Sequence, residues 1–412
     1  MKVLVLGAGA VGTVSALKFA KEAVLEKLVI ADTVSARASH LADRLNDPRV
    51  SAICLNAGDQ AAVAGIIRKT DTTLVLNAAL PATNLDVMRA CLDAGCDYID
   101  LASAGTDADG IPKMDDQFAL DAEFKAAGHL AILGMGADPG TTNVYAAYAA
   151  KHLLDVVTEL RIRDGDNSIC QGHTGFLAAF SPWVFIDECL CRAVSYRDGR
   201  YHLEEPLTGF EQFDFPELGT LNCYYVDHEE SRTLPRFFPQ ARVVDFKLCM
   251  DQVTVETLRV MKSLGLSRTD RVQVGNASIA PRDLVVSLLP QPKDLAGRMR
   301  GKTCVGTLAK GFKNGMPRAF YIYNVADHES AYSELGVQAT AYQTGIPPVI
   351  AARLIDTGVW RGTGVMSLEQ FDPDPFLECL AREGMQWYVR DDSAVGSPRA
   401  IGRSSRETVV AA

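Results

Sequence analysis

The chain lacks the patterns that announce a metal centre, a disulfide framework, a membrane span or a nucleic-acid surface. Its 10 cysteines include no C-x-x-C and its 7 histidines no H-x-x-x-H pair, so no metal site is written in the spacing and none is expected. Most cysteines, such as Cys54 and Cys91, sit in apolar runs, the usage of reduced packing residues rather than of a disulfide frame. No apolar run approaches the ~18 residues of a membrane helix, and the chain starts on a core-strand pattern instead of a cleavable leader. A soluble, cytoplasmic protein with no membrane partner is expected. Lys and Arg number 41 against 51 Asp and Glu, a net charge of −10 with the signs interspersed, so no basic stripe invites nucleic acid. That balance permits small cationic substrates.

What is present begins at residue 2. A buried strand over 2–6 runs into Gly7-Ala8-Gly9-Ala10-Val11-Gly12 and then a helix. Gly7 allows the tight turn, Gly9 lets backbone approach a pyrophosphate, and Gly12 lets the helix pack close to the strand. With Gly7, Gly9 and Gly12, Ala10 and Val11 form the phosphate-binding turn at a helix N-terminus. A second strand over 28–31 ends in Asp32, about twenty residues beyond the glycines, where an acid reads the adenosine ribose 2′-hydroxyl. Asp32 followed by Thr33 favours NAD over NADP, while Arg37 and Arg44 leave a 2′-phosphate partner open.

At 412 residues and 48% hydrophobic content the chain is long enough for two domains. Strands over 2–6, 28–31, 51–55, 73–77, 98–101 and 130–133 alternate with helices over 11–23, 34–46, 60–68, 83–95 and 116–127, which predicts a doubly wound parallel α/β sheet, a Rossmann domain over 1–140. Gly58 and Asp59 follow the third strand toward the adenine; Asn77, Ala78 and Ala79 follow the fourth on the nicotinamide side. After the sixth strand, Asp138-Pro139-Gly140-Thr141 turns into a helix that Asp138 or Thr141 can cap. Strands over 158–163, 221–226, 243–248, 304–308 and 318–323 then predict an inserted α+β, mostly antiparallel domain for substrate and dimerisation over 141–345. A segment over 346–390, with a helix over 346–356 and a closing strand over 386–389, returns toward the Rossmann domain. Residues 391–412, rich in Ser, Arg and Gly, read as a disordered tail. Gly297 to Thr303 imitates a phosphate loop, but three residues separate its glycines instead of four.

The dinucleotide turn, the segment Gly136–Gly140 and the inserted sheet together resemble the saccharopine dehydrogenase family. The C-terminal half, through Val226-Asp227-His228-Glu229-Glu230, Gly301-Lys302-Thr303, Tyr321 to Glu329, Gln338 to Pro347 and Phe371 to Phe376, is most similar to its carboxynorspermidine (carboxyspermidine) dehydrogenase branch. The resemblance implies NAD(P)-dependent reduction of an imine between an amino-acid semialdehyde and a diamine, hence polyamine biosynthesis. Saccharopine dehydrogenase or lysine 6-dehydrogenase activity is the alternative enzyme, and an NAD-binding sensor or scaffold the alternative outside enzymes. The branch favours the phosphorylated cofactor, and in place of its cysteine the chain has Asp164, ahead of a matching Gly165-Asp166 pair.

Imine reduction needs a carboxylate to hold the protonated nitrogen and a group to move a proton. Asp138 is the expected acid, Asp166 its helper and His228 a proton shuttle. Asp164, Glu229 and His328 are expected at the substrate, Glu229 with Glu230 meeting a distal ammonium. Arg232 and Lys247, with Arg163, would take a substrate carboxylate. For each the bland alternative stands open: a helix cap, a hydrogen-bonded sheet histidine, a surface cation. The open edges of the inserted sheet would be hidden in a homodimer.

Overall fold

Runs of apolar residues bounded by glycine turns build the first sheet. β1 (Lys2–Leu6), β2 (Lys27–Asp32), β3 (Val50–Cys54), β4 (Leu74–Asn77), β5 (Asp97–Asp100) and β6 (Leu130–Ile132) alternate with α1 (Ala10–Phe19), α2 (Ser35–Leu45), α3 (Gln60–Thr70), α4 (Asn84–Ala94), α5 (Met114–Phe118) and α6 (Asp121–Ala127). The structure is a computed structural model and describes residues 1–103, 114–173, 175–393 and 407–408.

All pairings in this sheet are parallel, and the central strands β1, β2 and β4, buried on both faces, read as near-continuous runs of Val, Leu, Ile and Ala. The strand order 6-5-4-1-2-3 reverses between β1 and β4, which opens a crevice at their C-terminal ends. Two details differ from the sequence pattern. The helix expected over 116–127 is two, broken before Asp121 where Leu120 turns into the core, and the first helix ends at Phe19.

α7 (Thr141–Tyr148) leads out of this sheet into the second one, formed by β7 (Val156–Asp166) and its partners. In chain order follow β8 (Ile169–Cys170), α8 (Pro182–Leu190), β9 (Ala193–Arg197), β10 (Arg200–Glu204), β11 (Glu211–Phe215), β12 (Gly219–Tyr225), α9 (Glu230–Phe237), β13 (Val243–Cys249) and α10 (Gln252–Ser263). Then come β14 (Val272–Val274), β15 (Ala277–Ile279), α11 (Pro281–Leu288), β16 (Met299–Arg300), β17 (Lys302–Lys313), β18 (Met316–Asp327), α12 (His328–Leu335), α13 (Ala339–Gly345), α14 (Pro347–Asp356), β19 (Gly364–Met366), α15 (Pro373–Arg382), β20 (Trp387–Asp391) and β21 (Glu407–Thr408).

The large second sheet is antiparallel except where β13 runs parallel to β7. The helix expected over 346–356 is α14, and β19 adds a seventh parallel strand beside β6. α13 locks the two sheets together: Ser15 Oγ donates to the Gly345 carbonyl at 2.8 Å, and a Cβ on Gly345 would lie 2.6 Å from Val14 Cβ. Asp391 pairs with Phe320 in β20 and Glu407–Thr408 pairs with β20 as well; the rest of the segment expected to be a disordered tail lies outside the described residues. All ten cysteines are free.

Register decides what each face of the second sheet carries. Leu160, Ile162, Asp164 and Asp166 of β7 share a face with Val244, Phe246 and Leu248 of β13 and with Thr303, Val305 and Thr307 of β17. That face meets α7 and α13, since Thr307 donates to the Thr142 carbonyl and Thr303 to Gln343. The opposite face carries Arg161, Arg163, Asp245 and Lys247, partly covered by β11 and β12.

Candidate active site

The cofactor cradle rests on close backbone approach. A Cβ on Gly12 would lie 1.9 Å from the Gly7 carbonyl oxygen, and one on Gly7, whose φ is +99°, would lie 2.6 Å from that of Ala78. Gly9 differs, because a Cβ there would meet nothing within 4 Å. That open space lies in front of Ala10 and Val11 in the first turn of α1, room for a pyrophosphate against free N–H groups. Asp32 accepts from Ala8 N at 2.9 Å and Val34 N at 2.8 Å, binding the glycine turn to the turn that holds Thr33. Arg37 Nη1 lies 3.9 Å from the same carboxylate. The residues therefore fit a dinucleotide, with an acid and a guanidinium side by side at the ribose edge.

Other expected cofactor residues are committed to framing this crevice. Asp59 caps α3 by accepting from Ala62 N at 3.0 Å, and Gly58 N donates to Asn56. Ala78 N donates to Leu6 O, and Ala79 N to Asn77 Oδ1 at 3.3 Å. Asn77 begins a buried relay through Asn84 and Gln117 to Asp100, which also accepts from Gly134 N at 2.6 Å. Burial lifts the Asp100 carboxyl to about 7.

Opposite the crevice lies an acidic cluster around one imidazole. The His228 ring stacks on Phe246 at 3.9 Å between centroids, and its Nδ1 lies 2.6 Å from Glu230 and 3.5 Å from Glu229. Glu230 is fully buried and accepts from Thr142 Oγ1 at 2.7 Å, while Glu229 accepts from Ser103 N at 2.5 Å. The two glutamates thus fasten the loop before α9 to α7 and to the segment after β5. Burial opposes the charge on His228, but Glu230, then Glu229 and Asp138, overcome it and hold the imidazole well above its usual range. His228 is a cation at neutral pH.

Asp138 and Asp164 are hydrogen-bonded to each other. Burial, then the charge of Asp164, raises Asp138 well above the carboxylate range; burial, then Asp166, raises Asp164 to about 7. Two like charges so placed cannot both ionise, and the pair shares a proton near neutrality. Asp166 itself accepts from Ser168 N at 2.6 Å. Neither Asp138 nor Thr141 caps α7: Gly140 occupies the cap position, its N–H donating to Asn143 Oδ1 at 2.9 Å, and Thr141 Oγ1 donates to the Gly136 carbonyl.

Four cations and imidazoles expected at the substrate are engaged with other protein groups. Alternation puts Arg163 and Lys247 on the far face, where Arg163 pairs with Asp245 at 2.6 Å and Lys247 with Glu211 at 2.6 Å. Arg232 donates to both oxygens of Asp227, at 3.0 and 3.2 Å. His328 Nδ1 accepts from Ala339 N, so Nε2 carries the proton and donates to Ser168 Oγ at 2.6 Å; burial lowers its pKa and keeps it neutral. Thr142, Phe246 and Glu188, all at this cluster, escaped the sequence reading. Alternation along 244–248 could have placed Phe246, and Asp187-Glu188 interrupting an apolar helix was a signal for Glu188. Among the described residues, the ligand atoms of His228, Glu229 and Glu230 lie within 4.8 Å of one another, a spacing a cation could bridge. The same atoms are already joined as an ion pair.

A dinucleotide cradle facing acid–base side chains is the site of a nicotinamide-dependent oxidoreductase. The saccharopine dehydrogenase NADP binding domain matches residues 3–132 and the saccharopine dehydrogenase C-terminal domain matches residues 136–385; the chain belongs to this family. It is 33% identical to carboxyaminopropylagmatine dehydrogenase of Synechocystis over 94% of this chain and 97% of that one. It is 33% identical to carboxynorspermidine synthase of Vibrio cholerae over 95% and 97%. Apo saccharopine dehydrogenase (L-Glu forming) of Saccharomyces cerevisiae superposes with a TM-score of 0.71 at 15% identity, covering 95% of this chain and 99% of that one. The cofactor is NAD(P), and among the described residues no helix is long and apolar enough to cross a membrane.

Proposed function

We propose that the protein reduces the imine formed between an amino-acid semialdehyde and a diamine or related polycationic amine, in polyamine biosynthesis. The observation that carries this is the proton-sharing Asp138–Asp164 pair beside a cationic His228 in a recess otherwise rich in carboxylates. When bound, NAD(P)H supplies the hydride. The pair accepts the proton that an incoming ammonium must lose before it attacks the aldehyde, and returns it to the carbinolamine hydroxyl, which leaves as water. The resulting carboxylate faces the iminium and stabilises it until hydride arrives at carbon. His228, clamped by Glu230, donates a hydrogen bond to the oxygen while it leaves. Asp166 orients Asp164 through its charge, and Glu229 positions His228.

The names of the relatives support the polyamine substrates over saccharopine or lysine, and they support an enzyme over a sensor. At the cradle, Asp32 and Arg37 give the ribose hydroxyl and a 2′-phosphate each a partner. A homodimer in the cytoplasm is the proposed state. The test is NADH and NADPH consumption at the reduced-nicotinamide band with aspartate semialdehyde plus diaminopropane or putrescine. The expected result is turnover that requires both carbonyl and amine; turnover only with saccharopine or lysine and oxidised cofactor overturns the proposal.

A further inference from the structure

Every carboxylate around His228 has a partner except one. Asp227 accepts from Arg232 and from Val194 N, Glu229 from Ser103 N, Glu230 from Thr142 and His228, Asp166 from Ser168 N, and Asp138 and Asp164 bond each other. The Glu188 side chain, on α8, makes no hydrogen bond or ion pair among the described residues. Its backbone is held at this site, since Asp227 N donates to its carbonyl at 3.2 Å, and its side chain is only partly exposed. Burial pushes its carboxyl up to about 8; the His228 charge pulls the other way, and Glu229, Asp227 and Asp187 add to the rise. The adjoining first turn of α9 holds two buried atoms without a hydrogen-bond partner, Ser231 Oγ and Arg232 Nε. Polar groups in a recess are rarely left unmatched, and the Glu188 carboxyl is the one here with no cation or donor of its own, since His228 is taken up by Glu230 and Arg232 by Asp227.

We infer that Glu188 binds the second cation of the amine substrate, the remote ammonium or guanidinium, while the first nitrogen enters the imine. The inference rests on the reading given under Proposed function and adds the residue that selects dications over monoamines.

The experiment compares 1,3-diaminopropane, putrescine and agmatine with propylamine, at fixed aspartate semialdehyde and NADPH, for the wild type, Glu188→Gln and Glu188→Asp. Cofactor binding by fluorescence is the control for folding. Glu188→Gln is expected to lose roughly 10- to 100-fold in kcat/KM for the dications, mainly through KM, and to stay within about 2-fold for propylamine. Glu188→Asp should recover part of the loss. Equal losses on dications and propylamine, or no loss on either, overturn the assignment while leaving the proposed activity standing. A wild type inert with every amine overturns both.

Discussion

The two faces of the second sheet are built from the same strands and treat charge in opposite ways. On the far face each cation is matched: Arg161 with Glu159 and Asp245 at 2.9 and 3.2 Å, Arg163 with Asp245 and Glu211 at 2.6 and 2.9 Å, Lys247 with Glu211 at 2.6 Å. One residue over in β7, Asp164 leans on Asp138 and Asp166, with His228 as the nearby cation. Paired buried charge holds strands in register; like charge forced together holds a proton that chemistry can use. The difference separates a framework from the proposed working site within a single strand.

The largest test of that contrast strikes the working face. Asp138→Asn is expected to lower kcat by roughly 10²- to 10⁴-fold with cofactor affinity intact by fluorescence titration; a loss confined to KM would make Asp138 a binding group only. On the far face Asp245→Ala takes from the fully buried Arg163 one of its two carboxylate partners, and should cost about 1–3 kcal/mol in urea unfolding while the folded fraction keeps its kcat.

Asp164 links the faces through pH. Its folded carboxyl, at about 7, is raised above the 3.8 of a free one, so its contribution to stability is full below about pH 4 and is lost as pH rises to about 7. Asp164→Asn should flatten that part of the stability–pH curve, read by thermal unfolding at a series of pH values; an unchanged slope would mean the carboxyl is ionised. Smallest of all, Lys247→Met should leave kcat/KM within about 2-fold, because its ammonium faces Glu211 and the Tyr225 ring rather than substrate.

Much of this was legible. Gly7 to Gly12, Asp32 and the six strands announce the first sheet because parallel strands and phosphate turns have dense local signatures. Asp138 and His228 stand out in the sequence by their place after a strand and their acidic neighbours, and the fold sets their charges close enough to act on each other. Arg163 and Lys247 were misplaced although period-two alternation puts them opposite Asp164 and Phe246, a rule the pattern already contained. Asn314-Gly315, both at positive φ, is the hairpin turn that makes β17 and β18 twelve residues each, longer than their apolar cores alone indicate. β19 has three residues, too few for any periodicity, and its place beside β6 is decided by tertiary packing. The pairing that leaves Glu188 unmatched exists only in three dimensions.

The central claim, that Asp138 and Asp164 share a proton as the acid of the reaction, is tested most directly by the pH dependence of kcat/KM in the wild type and Asp164→Asn. The account predicts a wild-type rate that falls above about pH 7, and in the variant a fall displaced to lower pH as Asp138 loses its like-charged neighbour. Superimposable profiles would contradict it.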